Sequence, residues 1–350
     1  MRIGLYGMPT AGKTYVLDKI DFIDVVVGSK LLREYDPDFD LRDEAGRAQD
    51  RKDVANIMKQ RDHFIMDGHY AFGDEIAFTE DEGEMYDIYL YLYIDPTIIE
   101  NRMSNSDKNK NFLKYDISEW QKKEIEGLRE YCHKHCKDFY VIDNPPRNDS
   151  EDVESIVSFI RDIVNGFSCS KYAEHCAKEI LRQCDSDYIT LVDGDKTLSR
   201  IDTSKHFMDY KTHLFDGNYY TGYQTWKHSK ELANYRLKDF TPEEIEYNEF
   251  VLENTNECTF IVTAGCAQIW DRIANHLGLS SFGGSQMSAE TKLYIAKFLH
   301  AAGKKVFAFG DGMNDYFMLK EADEGYLITK PDGSISRSLK GKNVEGIRIV

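Results

Sequence analysis

Short apolar runs alternate with helical segments along most of this 350-residue chain, and this alternation constrains its fold most strongly. Runs typical of strands lie at residues 1–6, 63–66, 88–94 and 139–142, then at 188–192, 258–263 and 304–309. Strands separated by helices form parallel sheets with helices packed on their faces. The sequence therefore predicts an α/β protein built from two parallel-sheet, three-layer domains.

The length also indicates two domains, because one core rarely serves more than ~200 residues. Residues 151–165 have helical spacing after an Asn-Pro-Pro turn, and Gly166 follows as a helix C-cap. We place the first domain at 1–166 and the second at 167–350. Within the second domain, residues 198–257 form a partly helical segment too long for a simple crossover, and we interpret it as an inserted cap.

Composition limits the classes of partner. With 41% hydrophobic and 30% charged residues the chain is typical of globular proteins, and no apolar stretch approaches the ~18 residues that span a bilayer. Residues 1–165 carry 22 Lys and Arg against 35 Asp and Glu, and residues 166–350 carry 22 against 26. We expect no membrane partner, and small phosphorylated ligands rather than nucleic acid, whose backbone needs a basic surface.

The seven cysteines are odd in number and irregularly spaced. This pattern predicts thiols in a reducing, cytoplasmic compartment rather than a disulfide framework.

Two acidic residues follow the strand at 188–192, in the pentapeptide Asp193-Gly194-Asp195-Lys196-Thr197. Open parallel sheets bind their ligands at the carboxyl edge of the strands, which is where this segment falls. One carboxylate can attack phosphorus while the other gives a proton to the leaving oxygen. The pair therefore predicts phosphoryl chemistry.

Three further motifs follow in order. Thr263 ends a strand before Ala264-Gly265, Lys292 lies on a helix over 288–302, and the segment 310–315 (GDGMND) follows the strand at 304–309. A dianionic phosphate can approach clustered carboxylates only if a hard cation and a lysine offset the repulsion. Beside Asp193 and Asp195, the polar side chains that these segments contribute include Thr263, Lys292, Asp311 and Asp315.

These four motifs resemble those of the haloacid dehalogenase superfamily, and GDGMND with the cap position is most similar to its phosphoserine-phosphatase-like branch. The resemblance implies a Rossmann-like fold with a helical C1-type cap and a magnesium-dependent phosphomonoesterase. It implies Asp193 as nucleophile, Asp195 as general acid and base, and Thr263 and Lys292 as partners of the phosphate. By the same resemblance, Mg²⁺ is held by Asp193, Asp311 and the backbone carbonyl of Asp195, with Asp315 supporting the metal site.

A second phosphate motif lies at the N-terminus. Residues 7–14 (GMPTAGKT) fit G-x-x-x-x-G-K-[ST] between a strand and a helix. In such a loop the glycines Gly7 and Gly12 let backbone N–H groups surround a phosphate, Lys13 reaches the β and γ oxygens, and Thr14 binds Mg²⁺. The first domain is therefore expected to bind ATP or GTP.

Asp67-Gly68 after the strand at 63–66, and Arg102 after Asp95-Pro96, resemble segments of adenylate-kinase-like nucleoside monophosphate kinases. The resemblance implies that Asp67 positions magnesium and the acceptor and that Arg102 clamps the transferring phosphoryl group. Residues 104–110 carry only lysines where the family lid usually offers a second arginine. Four arginines lie where such kinases build an acceptor pocket, and we interpret each first as a solvated helix charge: Arg33, Arg42, Arg47 and Arg51.

The combined prediction is a bifunctional enzyme. Its N-terminal domain is an ATP-dependent kinase of small phosphorylated metabolites or nucleotides, and its C-terminal domain is a capped phosphomonoesterase. Two alternatives remain. Polynucleotide kinase-phosphatases join the same two domain types in the same order, and they heal nucleic-acid ends. The incomplete lid also allows a P-loop domain that senses nucleotide and regulates the phosphatase.

Overall fold

The computed structural model describes residues 1–143 and 150–350, and the chain divides into two compact units, Met1–Phe167 and Ser168–Val350. The Asn-Pro-Pro turn expected before residue 151 lies outside the described residues. Each unit is α/β with an all-parallel main sheet, which confirms the predicted fold class. In the described part of the chain, no helix has the length and apolar content needed to cross a membrane.

The first unit contains seven strands and seven helices among its described residues. The strands are β1 (Arg2–Tyr6), β2 (Asp24–Val26), β3 (Phe64–Asp67), β4 (Ala71–Phe72), β5 (Glu75–Ile76), β6 (Ile88–Tyr93) and β7 (Asp138–Asp143). The helices are α1 (Lys13–Leu17), α2 (Gly28–Tyr35), α3 (Glu44–Met58), α4 (Glu80–Met85), α5 (Pro96–Ser104), α6 (Ile117–His135) and α7 (Ser150–Val164).

The five-stranded sheet of this unit has the order β2-β3-β1-β6-β7, and β4 and β5 form a separate antiparallel pair. Strand β1 lies at the centre, with Leu5 opposite Asp67 on β3 and Leu90 on β6. The central strands are buried on both faces, which explains why β1 and β6 read as continuous apolar runs. The segments that follow β1 and β3 therefore lie side by side at the carboxyl edge.

The second unit contains six strands and seven helices among its described residues. The strands are β8 (Tyr188–Val192), β9 (Thr259–Thr263), β10 (Ser280–Gly283), β11 (Lys305–Gly310), β12 (Glu324–Leu327) and β13 (Ile347–Ile349). The helices are α8 (Cys169–Gln183), α9 (Thr203–Met208), α10 (Gly222–Leu232), α11 (Glu249–Glu253), α12 (Ala267–Leu277), α13 (Ala289–Ala301) and α14 (Met313–Glu321). The sheet order is β10-β9-β8-β11-β12-β13.

Every strand predicted from an apolar run is present, and the strands that the sequence did not indicate lie mainly at sheet edges. Strand β2 is a three-residue edge strand, and β10 has the sequence SSFG, which is only partly buried. Strands β12 and β13 continue the second sheet beyond β11. Edge strands bury less apolar surface than central ones, so their sequences carry a weaker periodic signal.

The segment 198–257 carries helices α9, α10 and α11 between β8 and β9, and no strand of the described sheets. Phe207, Phe240 and Ile245 from this segment are buried in the same hydrophobic cluster as Trp270 and Ile273 of α12. The segment is therefore anchored to the sheet domain by shared apolar burial, which stabilises its position over the sheet edge.

The expectation that all cysteines are thiols is wrong for one pair. Cys184 and Cys258 form a disulfide, with their Cα atoms 5.6 Å apart. The two residues precede the neighbouring parallel strands β8 and β9, where Thr190 pairs with Thr259. The pairing could not be read from spacing, because the partners are 74 residues apart and only the sheet register brings them together.

Candidate functional site

Three neighbouring strands of the second unit bring the predicted phosphatase residues together. Strand β8 lies between β9 and β11, and Val192 pairs with Ile261 on one side and Phe309 on the other. Asp193 follows β8, Thr263 ends β9 and Asp311 follows β11. Because parallel strands share one carboxyl edge, these side chains converge from three segments that are far apart in sequence.

Lys292 on α13 lies at the centre of this cluster and is fully buried. Its Nζ donates to Oδ1 of Asp193 at 2.5 Å and to Oδ1 of Asp315 at 2.7 Å. Burial lowers the pKa of Lys292, but the charges of Asp193 and Asp315 outweigh it and raise the pKa above its usual value. The lysine is therefore a permanent cation between two carboxylates.

Asp315 on α14 organises the loop that precedes its helix. Its Oδ2 accepts hydrogen bonds from the backbone N–H groups of Asp311 and Gly312, at 3.2 and 3.1 Å. Gly310 is required at the end of β11, because a Cβ there would lie 2.3 Å from the Cβ of Asp315. These contacts turn the Asp311 carboxylate towards Asp193.

The carboxylates of Asp193, Asp311 and Asp315 offer ligand atoms that all lie within 4.8 Å of one another. Burial has the largest effect on the pKa of Asp193 and raises it well above its ordinary value, and the charge of Asp315 raises this pKa further. For the same two reasons the pKa of Asp311 rises to about 7. The cluster carries more negative charge than Lys292 balances, which suits a hard divalent cation with oxygen ligands.

Asp195 lies beside this cluster in a separate environment. Its Oδ1 accepts from the backbone N–H of Thr203 at 2.8 Å, at the start of α9. Burial and the nearby charge of Asp202 raise the pKa of Asp195 to about 6. A carboxyl group with this pKa can hold a proton or release it near neutral pH, as a general acid and base must.

Thr263 and two glycines complete the edge between β8 and β9. The Thr263 hydroxyl accepts from the N–H of Gly265 at 3.0 Å. A Cβ on Gly194 would lie 2.5 Å from the Trp270 ring and 2.8 Å from the Thr263 hydroxyl, and a Cβ on Gly265 would lie 2.9 Å from Asp195 Oδ2. Gly194 thus allows close packing against Trp270 and Thr263, and Gly265 allows close approach to Trp270 and the Asp195 carboxylate.

A cavity of about 690 Å³ lies in the first unit, and the loop Met8–Tyr15 forms one part of its wall. Gly7 and Gly12 have positive φ angles of 151° and 101°, which the tight loop requires. Lys13 is 6% exposed, and its Nζ donates to the carbonyls of Gly7 at 2.5 Å and Met8 at 3.3 Å. Burial lowers the pKa of Lys13 to about 8, although Glu124 and Asp67 oppose this change.

The structure places Asp67 and Arg102 differently around this loop. Asp67 ends β3, lines the 690 Å³ cavity and accepts from the N–H of Gly28 at 2.7 Å. Arg102 on α5 donates to the carbonyl of Thr10 at 3.2 Å and lines a separate cavity of about 370 Å³ with Thr10. Asp67 therefore lines the same cavity as the P-loop, whereas Arg102 contacts the loop beside a different cavity.

The four arginines divide into two pairs. Arg33 and Arg42 are exposed and form ion pairs with Asp40 and Asp36, at 2.7 and 2.6 Å. Arg33 nevertheless lines the 690 Å³ cavity. The solvated-charge interpretation is wrong for the other two, Arg47 and Arg51, which are half-buried and line the same cavity one helical turn apart on α3. The Arg47 Nε atom is buried without a hydrogen-bond partner among the described residues.

Several residues near the two sites carry no sequence signal. Trp270 packs on Gly194 and Gly265 only because α12 folds back over the loop that follows β9. Glu82 on α4 lines the first cavity, where the Tyr6 hydroxyl donates to it at 2.7 Å and burial raises its pKa to about 7. Neither residue lies in a motif, so only the tertiary contacts identify them.

Residues 178–332 match the family model of haloacid dehalogenase-like hydrolases. No curated protein sequence gives a significant match. The similar solved structures include shikimate kinases, which align over about half of this chain.

The shikimate kinase of Bacteroides thetaiotaomicron is 17% identical, with a TM-score of 0.35, and the alignment covers 47% of this chain and 98% of that one. The enzyme of Acinetobacter baumannii, in complex with shikimate, is 17% identical with a TM-score of 0.36, covering 48% and 95%. That of Aquifex aeolicus is 16% identical with a TM-score of 0.31, covering 47% and 99%. The family-model match identifies a haloacid dehalogenase-like hydrolase domain at residues 178–332 of this chain, and the N-terminal α/β unit carries a P-loop.

Proposed function

We propose that this protein is a bifunctional enzyme, a magnesium-dependent phosphomonoesterase with Asp193 as nucleophile and an ATP-dependent P-loop kinase of small phosphorylated metabolites or nucleotides. The observation that carries the phosphatase half is the buried contact of Lys292 with Asp193 and Asp315 beside Asp311. Such a charge cluster is costly to bury, and buried carboxylates with perturbed pKa values are enriched at catalytic sites.

The donor set fits magnesium, because it consists of carboxylate oxygens in a cluster that a single lysine leaves negative. Asp193 and Asp311 would hold the ion, while Asp315 keeps Asp311 in place through the loop amides. When bound, the cation supplies positive charge that offsets the repulsion between a phosphate dianion and the carboxylates.

The remaining steps belong to the chain's own groups. A carboxylate oxygen of Asp193 attacks phosphorus, the bond to the leaving oxygen breaks, and Asp195 gives its proton to that oxygen. Asp195, now a carboxylate, takes a proton from the water that attacks the aspartyl-phosphate, so that inorganic phosphate leaves and Asp193 is restored. Lys292 keeps Asp193 oriented, and the Thr263 hydroxyl, which accepts from the Gly265 amide, offers its own proton to a phosphate oxygen.

We expect Mg²⁺ binding to strengthen as pH rises through about 7, because the raised pKa of Asp311 makes protons compete with the ion. Below that pH, apparent affinity should fall by about tenfold per pH unit for one proton displaced. Calorimetric titration with Mg²⁺ between pH 5.5 and 8.5 would measure this. In the Asp311→Asn variant, Mg²⁺ affinity should be weak and should change less with pH than in the native protein. An equal pH dependence in the two proteins would contradict the assignment of Asp311 as a magnesium ligand.

The kinase half rests on the cavity that has the P-loop at one part of its wall and Arg47 and Arg51 at another. Two guanidinium groups facing one cavity attract an anionic acceptor, and Arg47 has unused hydrogen-bonding capacity. Asp67, at the end of β3, lines the same cavity, where its carboxylate can orient a nucleophile or a metal ion. This arrangement supports phosphoryl transfer from ATP to a small phosphorylated acceptor.

Replacement of Lys13 distinguishes kinase chemistry from nucleotide sensing. We expect Lys13→Ala to lower ATP-dependent phosphorylation of an acceptor by about 10² to 10³-fold, because the lysine neutralises charge on the transferred group. Labelled ATP and a panel of nucleoside monophosphates and sugar phosphates would measure it, with the exposed Lys30→Ala as control. If the native protein transfers no more label than Lys13→Ala while ATP still changes phosphatase rate, a sensing role replaces the kinase.

The phosphatase substrate is to be found by a phosphate-release screen with Mg²⁺. The panel would contain sugar phosphates, amino-acid phosphates, nucleotides and 3′-phosphorylated oligonucleotides. Preference for oligonucleotide ends, with binding lost as salt rises, would support the polynucleotide alternative instead.

A further inference from the structure

A second cavity, of about 930 Å³, lies in the C-terminal unit, and Asp311 forms part of its wall. Its wall comes from the segment after β8, from α9 and from the loop after β12, including Lys196, Lys205 and Lys330. A ligand whose phosphate lies at Asp311 would therefore extend the rest of its structure between α9 and that loop.

Most charged groups of this wall already have partners within the protein. Lys196 donates to Asp202 at 2.9 Å, and Asp209 pairs with Lys238 at 2.7 Å. Asp202 also caps α9 through the amide of Lys205, and Asp332 accepts from the amide and hydroxyl of Ser334. These acids are therefore occupied by local contacts.

Two cations remain. Among the described residues, no carboxylate oxygen lies within 4.0 Å of the ammonium groups of Lys205 and Lys330. Lys205 is on α9 of the inserted segment, and Lys330 follows β12 of the sheet domain. Two ammonium groups without ion-pair partners, presented to one cavity from two separate elements, attract an anion between them.

We propose that this cavity binds the leaving group of the phosphatase substrate and that this group carries a second anion, a carboxylate or a second phosphate, which Lys205 and Lys330 recognise. The inference rests on the proposed phosphatase function, because it takes the phosphate at Asp311 as the reacting one. Substrates with uncharged leaving groups gain nothing from these two lysines, so the ammonium pair acts in substrate selection.

Hydrolysis of para-nitrophenyl phosphate with Mg²⁺ provides the assay, and inhibition constants of matched compounds provide the test. In the native protein, 3-phosphoglycerate should inhibit about tenfold more strongly than glycerol 3-phosphate, since each lysine contributes about two- to fivefold. The inhibition constants of fructose 1,6-bisphosphate and fructose 6-phosphate measure the effect of a second phosphate in the same way. Whichever pair shows the preference identifies the second anion as carboxylate or phosphate.

The variants Lys205→Gln and Lys330→Gln should each reduce this ratio, and the double variant should bring it near one. Lys178→Gln removes an exposed lysine of the same unit that pairs with Glu174, and it should leave the ratio unchanged. A native ratio near one for both pairs, or a ratio that survives in the double variant, would overturn the proposal. So would stronger inhibition by a 3′-phosphorylated oligonucleotide that the double variant does not weaken.

Failure of the underlying function gives a different result. If para-nitrophenyl phosphate is hydrolysed equally by the native protein and Asp193→Asn, the phosphatase proposal fails. Binding of the same four compounds in the presence of Mg²⁺, measured by calorimetry, then decides whether the anion preference exists without catalysis. Equal binding by the native protein and the double variant would reject it.

Discussion

Asp193→Asn should abolish phosphate release from every phosphate monoester that the native protein hydrolyses, with a loss of at least about 10³-fold in kcat. The amide cannot attack phosphorus, and it is a poorer ligand for a hard cation than a carboxylate. The loss should appear in kcat rather than in substrate affinity alone, because the nucleophile forms a bond only during reaction. Release of inorganic phosphate with saturating Mg²⁺ measures it.

The matched control is Asp185→Asn, the same substitution at an exposed position in the same unit before β8. It should retain native activity. The Asp193→Asn protein should also keep its fold, since Lys292 still pairs with Asp315 at 2.7 Å. Circular dichroism would check this. Equal activity of Asp193→Asn and the native protein on all substrates would contradict the assignment of the nucleophile.

Lys292→Met should destabilise the C-terminal unit by about 3–5 kcal/mol, because it leaves two buried carboxylates without their cation. Asp193 and Asp315 are 7% and 1% exposed, so water cannot replace the lost charge. Burial and the charge of Asp315 already raise the pKa of Asp193, and Lys292 opposes this rise, so removal of the lysine would raise the pKa of Asp193 further. The stability loss is therefore greatest at neutral pH and shrinks as pH falls towards about 4, where Asp193 is protonated in the unfolded chain as well.

Scanning calorimetry of the full chain, at several pH values, would measure the shift of the unfolding transition. Lys178→Met is the control, because it removes a lysine from a similarly short but exposed ion pair with Glu174. Surface pairs contribute only about 0–1 kcal/mol, so this variant should unfold close to the native temperature. A Lys292→Met transition as close to native as the control would show that the carboxylates are not held charged by the lysine.

The α/β class of both units and the segments that carry the candidate site residues could be predicted from the sequence. Asp193, Thr263 and Asp311 could be recognised because each follows an apolar run, and parallel strands place such positions at one edge. Lys292 was recognised through its place in the motif order, and the P-loop through its glycine spacing. These are local signals that a short segment carries whole.

Features that depend on contacts between distant segments could be identified only in the tertiary structure. The Cys184–Cys258 disulfide requires the register of β8 and β9. The two arginine pairs differ in burial and in the carboxylates near them, which depends on how α2 and α3 pack. The placement of Arg102 on the P-loop carbonyls depends on the packing of α5. Lys205 and Lys330 are 125 positions apart in the sequence, yet both line one cavity. The sheet order and the anchoring of α9 bring the two lysines together, and these two features leave no pattern in the local sequence.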